Sequence, residues 1–118
     1  MPQYPRTADA PHTLSQLAHR YVRNLPQPFN GCEGSMVRLT NATLFLTTPN
    51  SYAERTDLSL WRSDDEGSSW QLVRTIDSGA SGYSSLQPCG ERGLCLLYEQ
   101  SDAPQLVMNP DRFVFLAL

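Results

Sequence analysis

Three side chains in the second half of the sequence have the chemistry to hold an anionic ligand. Arg55 carries a planar guanidinium, which can meet both oxygens of a carboxylate with parallel N–H donors. Tyr83 offers a phenol and Glu99 a carboxylate. Each has an ordinary alternative: Arg55 lies between Glu54 and Asp57 as a solvated loop charge, Tyr83 is a core or rim aromatic, and Glu99 ends a strand in water. Their position in the fold therefore decides between the two interpretations.

The elements that must position these side chains are β-strands. From residue 35 onward, short runs rich in β-branched, aromatic and leucine residues alternate with clusters of turn residues. Several runs are apolar on both faces, which is typical of strands sandwiched between other layers. Seven short strands in an antiparallel meander fit either a small sandwich or two adjacent four-stranded propeller blades, the second one strand short. The predicted strands are 35–40, 43–48, 57–62, 70–76, 83–87, 93–99 and 112–117.

Alternation of strand direction predicts which loops share an edge of such a meander. The loop at 49–56, the loop at 77–82 and the end of the sixth strand all fall on the same rim. Arg55, Tyr83 and Glu99 are therefore expected together on that rim. The turn at 63–70 is expected on the opposite rim.

That turn carries a recognisable motif. Residues 63–70 read SDDEGSSW and match the pattern S-x-D-x-G-x-[ST]-W, the Asp box of sialidase-type propeller blades, at all five positions: Ser63, Asp65, Gly67, Ser69 and Trp70. Asp65 can accept backbone N–H groups of its own turn, Gly67 supplies a backbone angle that a side chain forbids, and Trp70 can bury its ring. The alternative is a chance acidic turn before a tryptophan. As an Asp box, the segment is expected to fold a hairpin and to perform no chemistry.

Composition excludes several classes of protein. The chain has 118 residues, a net charge of −3 and a pI near 5.2, so a broad basic surface for nucleic acid is not expected. No apolar run approaches the roughly 20 residues of a membrane-spanning helix. Residues 1–24 are expected to form a tail, with a possible short helix over 13–23, and residues 25–118 the β unit. The first twelve residues lack the apolar core of a signal peptide.

The cysteines and one sequon leave questions open. Cys32, Cys89 and Cys95 show no metal-ligand spacing, so no metal site is expected and buried free thiols are the default interpretation. A pairing of Cys89 with Cys95 across a hairpin is an alternative that the sequence does not decide. Asn41-Ala42-Thr43 is a sequon for N-glycosylation, which also arises by chance.

Taken together, residues 25–118 resemble the C-terminal part of the exo-alpha-sialidases (neuraminidases), a family of six-bladed β-propellers, and SGYSSL at 81–86 is closest to the lysosomal branch. The resemblance implies an all-β fold of antiparallel four-stranded blades, of which this chain contains about two. The matching segments are Cys32–Ser35, Arg55-x-x-Leu58, the Asp box at 63–70, Ser81–Leu86 and Leu97–Glu99.

The resemblance also implies a role for each of the three rim residues. Arg55 matches the third arginine of the triad that grips the substrate carboxylate, and Tyr83 matches the catalytic nucleophile. Glu99 resembles the acid that braces the first arginine from behind. The family's other two arginines, its general-acid Asp and the Glu that activates the tyrosine come earlier in the chain, and none is visible in residues 1–34. The 118-residue chain alone is therefore expected to be inactive.

The implied function is hydrolysis of terminal alpha-linked sialic acids from glycoconjugates, with retention through a tyrosyl intermediate. The partners would be sialylated glycoconjugates, with no nucleic acid, no transmembrane segment and neither metal nor organic cofactor. The implied location is the lysosomal lumen or the cell exterior. The alternatives are a non-catalytic Asp-box β module that binds a glycan or protein partner, and an inactive fragment.

Overall fold

The computed structural model describes residue 22 and residues 24–40, 42–91, 93–104 and 109–118. The predicted helix at 13–23 lies almost wholly outside the described residues, as does most of the predicted tail at 1–24, and Asn41 of the sequon lies outside them too. Within the described ranges there is no helix, and hence none long and apolar enough to cross a membrane.

The described chain is all-β, as the sequence predicts. Six strands form one antiparallel sheet whose spatial order follows the chain, with β1 and β6 at its edges. The sheet curls on itself into a half-barrel. The strands are β1 (Ser35–Thr40), β2 (Thr43–Pro49), β3 (Thr56–Ser63), β4 (Gln71–Cys89), β5 (Gly93–Gln100) and β6 (Arg112–Ala117).

The prediction of seven strands is wrong, because the expected fourth and fifth strands are parts of the single 19-residue strand β4. Its first part pairs with β3 up to Ala80, and its second part pairs with β5 from Ser81 onward. Register shifts interrupt both ladders near this junction. The backbone stays bonded there, because the Ser81 amide donates to the Arg55 carbonyl (3.0 Å) and the Ser81 hydroxyl accepts the Leu58 amide (3.2 Å). The glycines and serines that suggested a loop therefore make a bulged crossing between two halves of the sheet.

Curling encloses the main core between these halves. Thr47 on β2 and Ser84 on β4 join hydroxyls at 2.8 Å, and the Ser35 hydroxyl of β1 accepts the Leu86 amide at 2.9 Å. Between the halves, apolar side chains exclude water, which is the main favourable contribution to the fold. The buried members are Leu58, Leu60, Leu86, Leu94, Leu96 and Tyr98.

A second, smaller cluster lies on the other face of the first half of the sheet. Trp61 follows Leu60 directly, and successive side chains of a strand point to opposite faces. Trp61 packs with Leu44 and Trp70, and the partly buried Leu25 covers them. The segment before β1 is thereby attached to the outer face of the sheet.

The β4–β5 hairpin is closed by a disulfide between Cys89 and Cys95. The ladder pairs Cys89 with Gly93 and Gln87 with Cys95, so the two cysteines are diagonal neighbours, with Cα atoms 5.7 Å apart. This corrects the default interpretation of these two residues as free thiols. Cys32 is a free, half-buried cysteine.

Candidate functional site

Arg55 ends the loop between β2 and β3 and turns its side chain inward. Its guanidinium donates from Nε (3.2 Å) and Nη2 (3.0 Å) to the carbonyl oxygen of Gly31. Only 6% of the residue is exposed. Arg55 is therefore not a solvated loop charge, because it is buried and its guanidinium is hydrogen-bonded to a backbone carbonyl.

The guanidinium lies over the ring of Tyr83. Its Cζ atom is 4.8 Å from the ring centroid, within the range of a cation–π contact. Tyr83 is 41% exposed, and no group in the described part of the chain hydrogen-bonds its hydroxyl. The ring thus packs against a cation while the Tyr83 side chain stays partly exposed to solvent.

The side chain of Glu99 is held by the backbone amide of Tyr83. The β4–β5 ladder pairs Ser81 with Gln100 and then Ser84 with Tyr98, and this irregularity spans Tyr83. The Tyr83 amide donates instead to Oε2 of Glu99, at 3.1 Å. The Glu99 carboxylate therefore compensates for a bulge, and it is brought next to the Arg55–Tyr83 pair by doing so.

No carboxylate in the part of the chain that the structure describes lies within ion-pair distance of the Arg55 guanidinium. Among the described residues, the ion pairs are Arg38–Glu66, Arg62–Asp64 and Arg112–Asp102, and none involves Arg55. A buried guanidinium without a counter-ion is unfavourable, since burial removes its hydration and a neutral carbonyl replaces only part of it. The site is therefore electrostatically suited to a bound anion.

Cys32 lies near this site and contributes a neutral group. Burial raises the pKa of its thiol to about 11, although the positive charge of Arg55 opposes the rise. The negative charges of Glu99 and Glu33 add to it. Because the thiolate is the reactive form of cysteine, a thiol with this pKa is a poor nucleophile at neutral pH.

A shallow cavity of about 170 Å³ opens beside Tyr83 and Glu99. Phe113 forms an apolar wall of this cavity. The sequence did not predict this position, because it depends on the pairing of β5 with β6, which places Phe113 opposite Glu99. Phe113 is 68% exposed. The cavity is lined by Glu33, Tyr83, Ser84, Ser85, Leu97, Tyr98, Glu99 and Phe113.

The Asp-box residues lie in one turn at the opposite end of β3 from Arg55. At about 3.3 Å per residue, the length of this strand separates the two regions by roughly 25 Å. Asp65 accepts from the Ser69 amide (2.8 Å), the Ser69 hydroxyl (2.5 Å) and the Ser63 hydroxyl (2.8 Å). These bonds, led by the Ser69 hydroxyl, lower the pKa of Asp65 to about 2. Gly67 has a φ of 82°, in the region that favours glycine.

Trp70 closes this turn. Its indole N–H donates to the Gly67 carbonyl at 3.1 Å, and the residue is only 6% exposed. The ring packs in the small cluster with Trp61 and Leu44. Trp70 thus attaches the turn to the sheet through a buried ring, and Glu66 adds an exposed ion pair to Arg38 of β1.

The structure therefore brings Arg55, Tyr83 and Glu99 together and separates them from Ser63, Asp65, Gly67, Ser69 and Trp70. Within the described ranges, no cluster of three or more His, Cys, Asp or Glu side chains is arranged to hold a metal ion. Neither comparison with protein-family models nor comparison with curated proteins found a match to this chain.

Proposed function

We propose that the chain forms the C-terminal part of an exo-alpha-sialidase propeller and contributes part of its active site. The observation that carries the proposal is the buried guanidinium of Arg55, which has no acidic partner in the described residues and lies against an accessible tyrosine. Such a guanidinium can bind a substrate carboxylate with two parallel charge-assisted hydrogen bonds. The carboxylate would supply the missing negative charge.

Tyr83 is the proposed nucleophile. Sialic acid bears its carboxylate on the anomeric carbon, so a carboxylate nucleophile would be repelled, whereas a phenol approaches as a neutral group. The Tyr83 oxygen bonds to the anomeric carbon as the glycosidic C–O bond breaks. A base takes the phenol proton and an acid protonates the departing oxygen. Water then attacks the anomeric carbon and gives a proton to the deprotonated acid, while the protonated base returns its proton to the departing tyrosine oxygen. This restores the acid, the base and the phenol, and the two displacements give net retention.

Two further features support a larger propeller. β1 to β4 form four consecutive antiparallel strands with the Asp box in the third hairpin, and the second half of β4, β5 and β6 add three more segments. The outer face of this second group exposes Leu97 (45%), Phe113 (68%) and Phe115 (67%). In a closed ring, a neighbouring blade would cover this face. That blade would also carry the acid, the base and the other arginines that the mechanism requires.

The same apolar face favours a second candidate function, a non-catalytic β module that binds a protein partner. In that case the exposed face on β5 and β6 is the binding surface, and Arg55 and Tyr83 are dispensable. The disulfide is compatible with an extracellular or lumenal location for either candidate.

The direct test compares a ligand that carries a carboxylate with its neutral methyl ester. N-acetylneuraminic acid and its methyl ester are titrated into the ¹⁵N-labelled 118-residue chain while the Arg55 Nε–H and Tyr83 amide resonances are followed by NMR. The acid should shift both resonances and the ester should not, because the ester lacks the anion. Arg55→Gln should abolish the difference, whereas Arg74→Gln, which alters an exposed arginine on β4, should retain it. Equal responses to acid and ester would contradict the proposal.

Catalysis is tested by supplying the remaining blades. Residues 25–118 replace the corresponding segment of an active exo-alpha-sialidase, and turnover of a fluorogenic sialoside is measured. The chimera should be active and its Tyr83→Phe variant should lose at least about a thousandfold in kcat, since the nucleophile is removed. A fully active Tyr83→Phe chimera would exclude the proposed role. An inactive chimera that still binds the acid would favour the non-catalytic candidate.

A further inference from the structure

A polar cluster, here named the Asp77 cluster, lies at the point where β4 passes from one half of the sheet to the other. Oδ1 of Asp77 accepts the Gly79 amide at 2.8 Å. Its Oδ2 accepts the Tyr98 hydroxyl at 2.9 Å and the side-chain amide of Gln100 at 2.7 Å. Arg112 of β6 donates to the other end of Gln100, at 2.6 Å. One carboxylate thus connects β4, β5 and, through Gln100, β6.

The chain that this cluster holds leads directly to the candidate site. The Gly79 carbonyl accepts the Ser81 hydroxyl at 3.0 Å, and the same hydroxyl accepts the Leu58 amide. The Ser81 amide donates to the Arg55 carbonyl at 3.0 Å. Tyr83 follows two residues later. A continuous series of hydrogen bonds therefore runs from Asp77 through Gly79 and Ser81 to the backbone of Arg55.

The groups that hydrogen-bond Asp77 directly are all neutral, so Asp77 carries the only charge among these bonds. Burial raises the pKa of Asp77, but the hydrogen bonds from Gln100, the Gly79 amide and Tyr98, with the nearby positive charge of Arg112, outweigh burial and leave it below its usual value. Burial and the bond to Asp77 raise the pKa of Tyr98 to about 12. At neutral pH an ionised carboxylate therefore accepts from neutral donors, and such charge-assisted bonds are the stronger kind.

We propose that Asp77 is a positioning residue for the Arg55–Tyr83 pair: its three hydrogen bonds set the bulged crossing of β4 that places the tyrosine ring under the guanidinium. The consequence for sialic acid binding rests on the proposed function. The geometry itself does not, because every contact in the series is made by the chain alone.

The test measures the geometry by NMR in the 118-residue chain. The Nε–H of Arg55 donates to the Gly31 carbonyl, so its exchange with water is slow while the pair is in place. In Asp77→Ala this exchange should accelerate by about tenfold or more, since the crossing is no longer held. The indole N–H of Trp70, at the opposite end of β3, should keep its wild-type exchange rate. A merely destabilised fold would accelerate both.

Two further variants make the outcome decisive. Tyr98→Phe removes one of the three bonds with little change in volume and should accelerate Arg55 exchange by about threefold. Asp102→Ala removes an exposed acid that pairs with Arg112 but does not contact Asp77, and it should leave Arg55 exchange unchanged. Wild-type Arg55 exchange in a folded Asp77→Ala would overturn the proposal. If Asp77→Ala unfolds, unchanged exchange in Tyr98→Phe would overturn it equally. Because no sugar is present, failure of sialic acid to bind leaves this result unaffected.

Discussion

The Asp-box turn and the Arg55 site lie at opposite ends of β3 and are built in opposite ways. Every side-chain hydrogen bond that Asp65 accepts comes from a residue within four positions of it along the chain. The hydrogen bonds of the Arg55 site, by contrast, join residues that lie 16 to 24 positions apart along the chain. The turn is therefore specified by local spacing, whereas the site exists only when the curled sheet has formed.

The largest expected effect comes from detaching the Asp-box turn from the sheet. Trp70→Ala should lower the free energy of unfolding by about 3–5 kcal/mol, because a buried aromatic ring leaves a cavity and the indole hydrogen bond is lost. Urea denaturation followed by far-UV circular dichroism measures the change. Tyr52→Ala removes an aromatic that is 70% exposed and should shift the midpoint little. A Trp70→Ala midpoint equal to that of wild type would mean that the turn is not coupled to the core.

A smaller effect is expected from removing the disulfide of the β4–β5 hairpin, which carries Tyr83 and Glu99. Replacing both Cys89 and Cys95 by serine should cost about 2 kcal/mol, since the disulfide closes a short loop and short loops contribute least. The loss should appear as faster amide exchange in β4 and β5 near Tyr83, with little change at the Asp-box turn. Cys32→Ser, which alters the unpaired cysteine, is the matched control. Equal acceleration in both regions would show that the sheet unfolds as one unit.

The pH dependence of stability tests the Asp-box turn through the ionisation of Asp65, without altering the packing of the core. The folded pKa of Asp65, about 2, is lower than its ordinary value of 3.8, so folding favours the ionised form. Its contribution is therefore fully present above pH 4 and is lost as the pH falls toward 2. The melting temperature of wild type should drop over this window. That of Asp65→Asn should start lower and drop less, so that the two curves converge. Parallel curves would contradict the assignment of the bonds to Asp65.

The same contrast explains what could be predicted from the sequence. The Asp-box spacing identified its turn because Ser63, Asp65 and Ser69 act within one loop. Strand alternation predicted a common rim for Arg55 and Tyr83. It did not reveal that the Tyr83 amide leaves the β-ladder to bond Glu99, since a bulge depends on how two strands meet. For the same reason the segment around Gly79 was predicted as a loop, and neither the hydrogen bonds of Asp77 nor the position of Phe113 beside Glu99 was predicted. Pairing partners and side-chain hydrogen bonds across a sheet are non-local, and one sequence does not contain them.

The smallest expected effect lies inside the Asp-box turn, at a position that the motif leaves free. Glu66 pairs with Arg38 through two hydrogen bonds (2.8 and 2.7 Å), yet both side chains are largely exposed. Water and salt screen such a pair, and ordering two long side chains offsets the attraction. Glu66→Gln should therefore leave the melting temperature within about one degree of wild type in both low and high salt. A clear drop at low salt that disappears in high salt would show that the turn depends on a charge from β1. The distinction between a self-contained turn and a site assembled by the sheet would then be weaker than the geometry indicates.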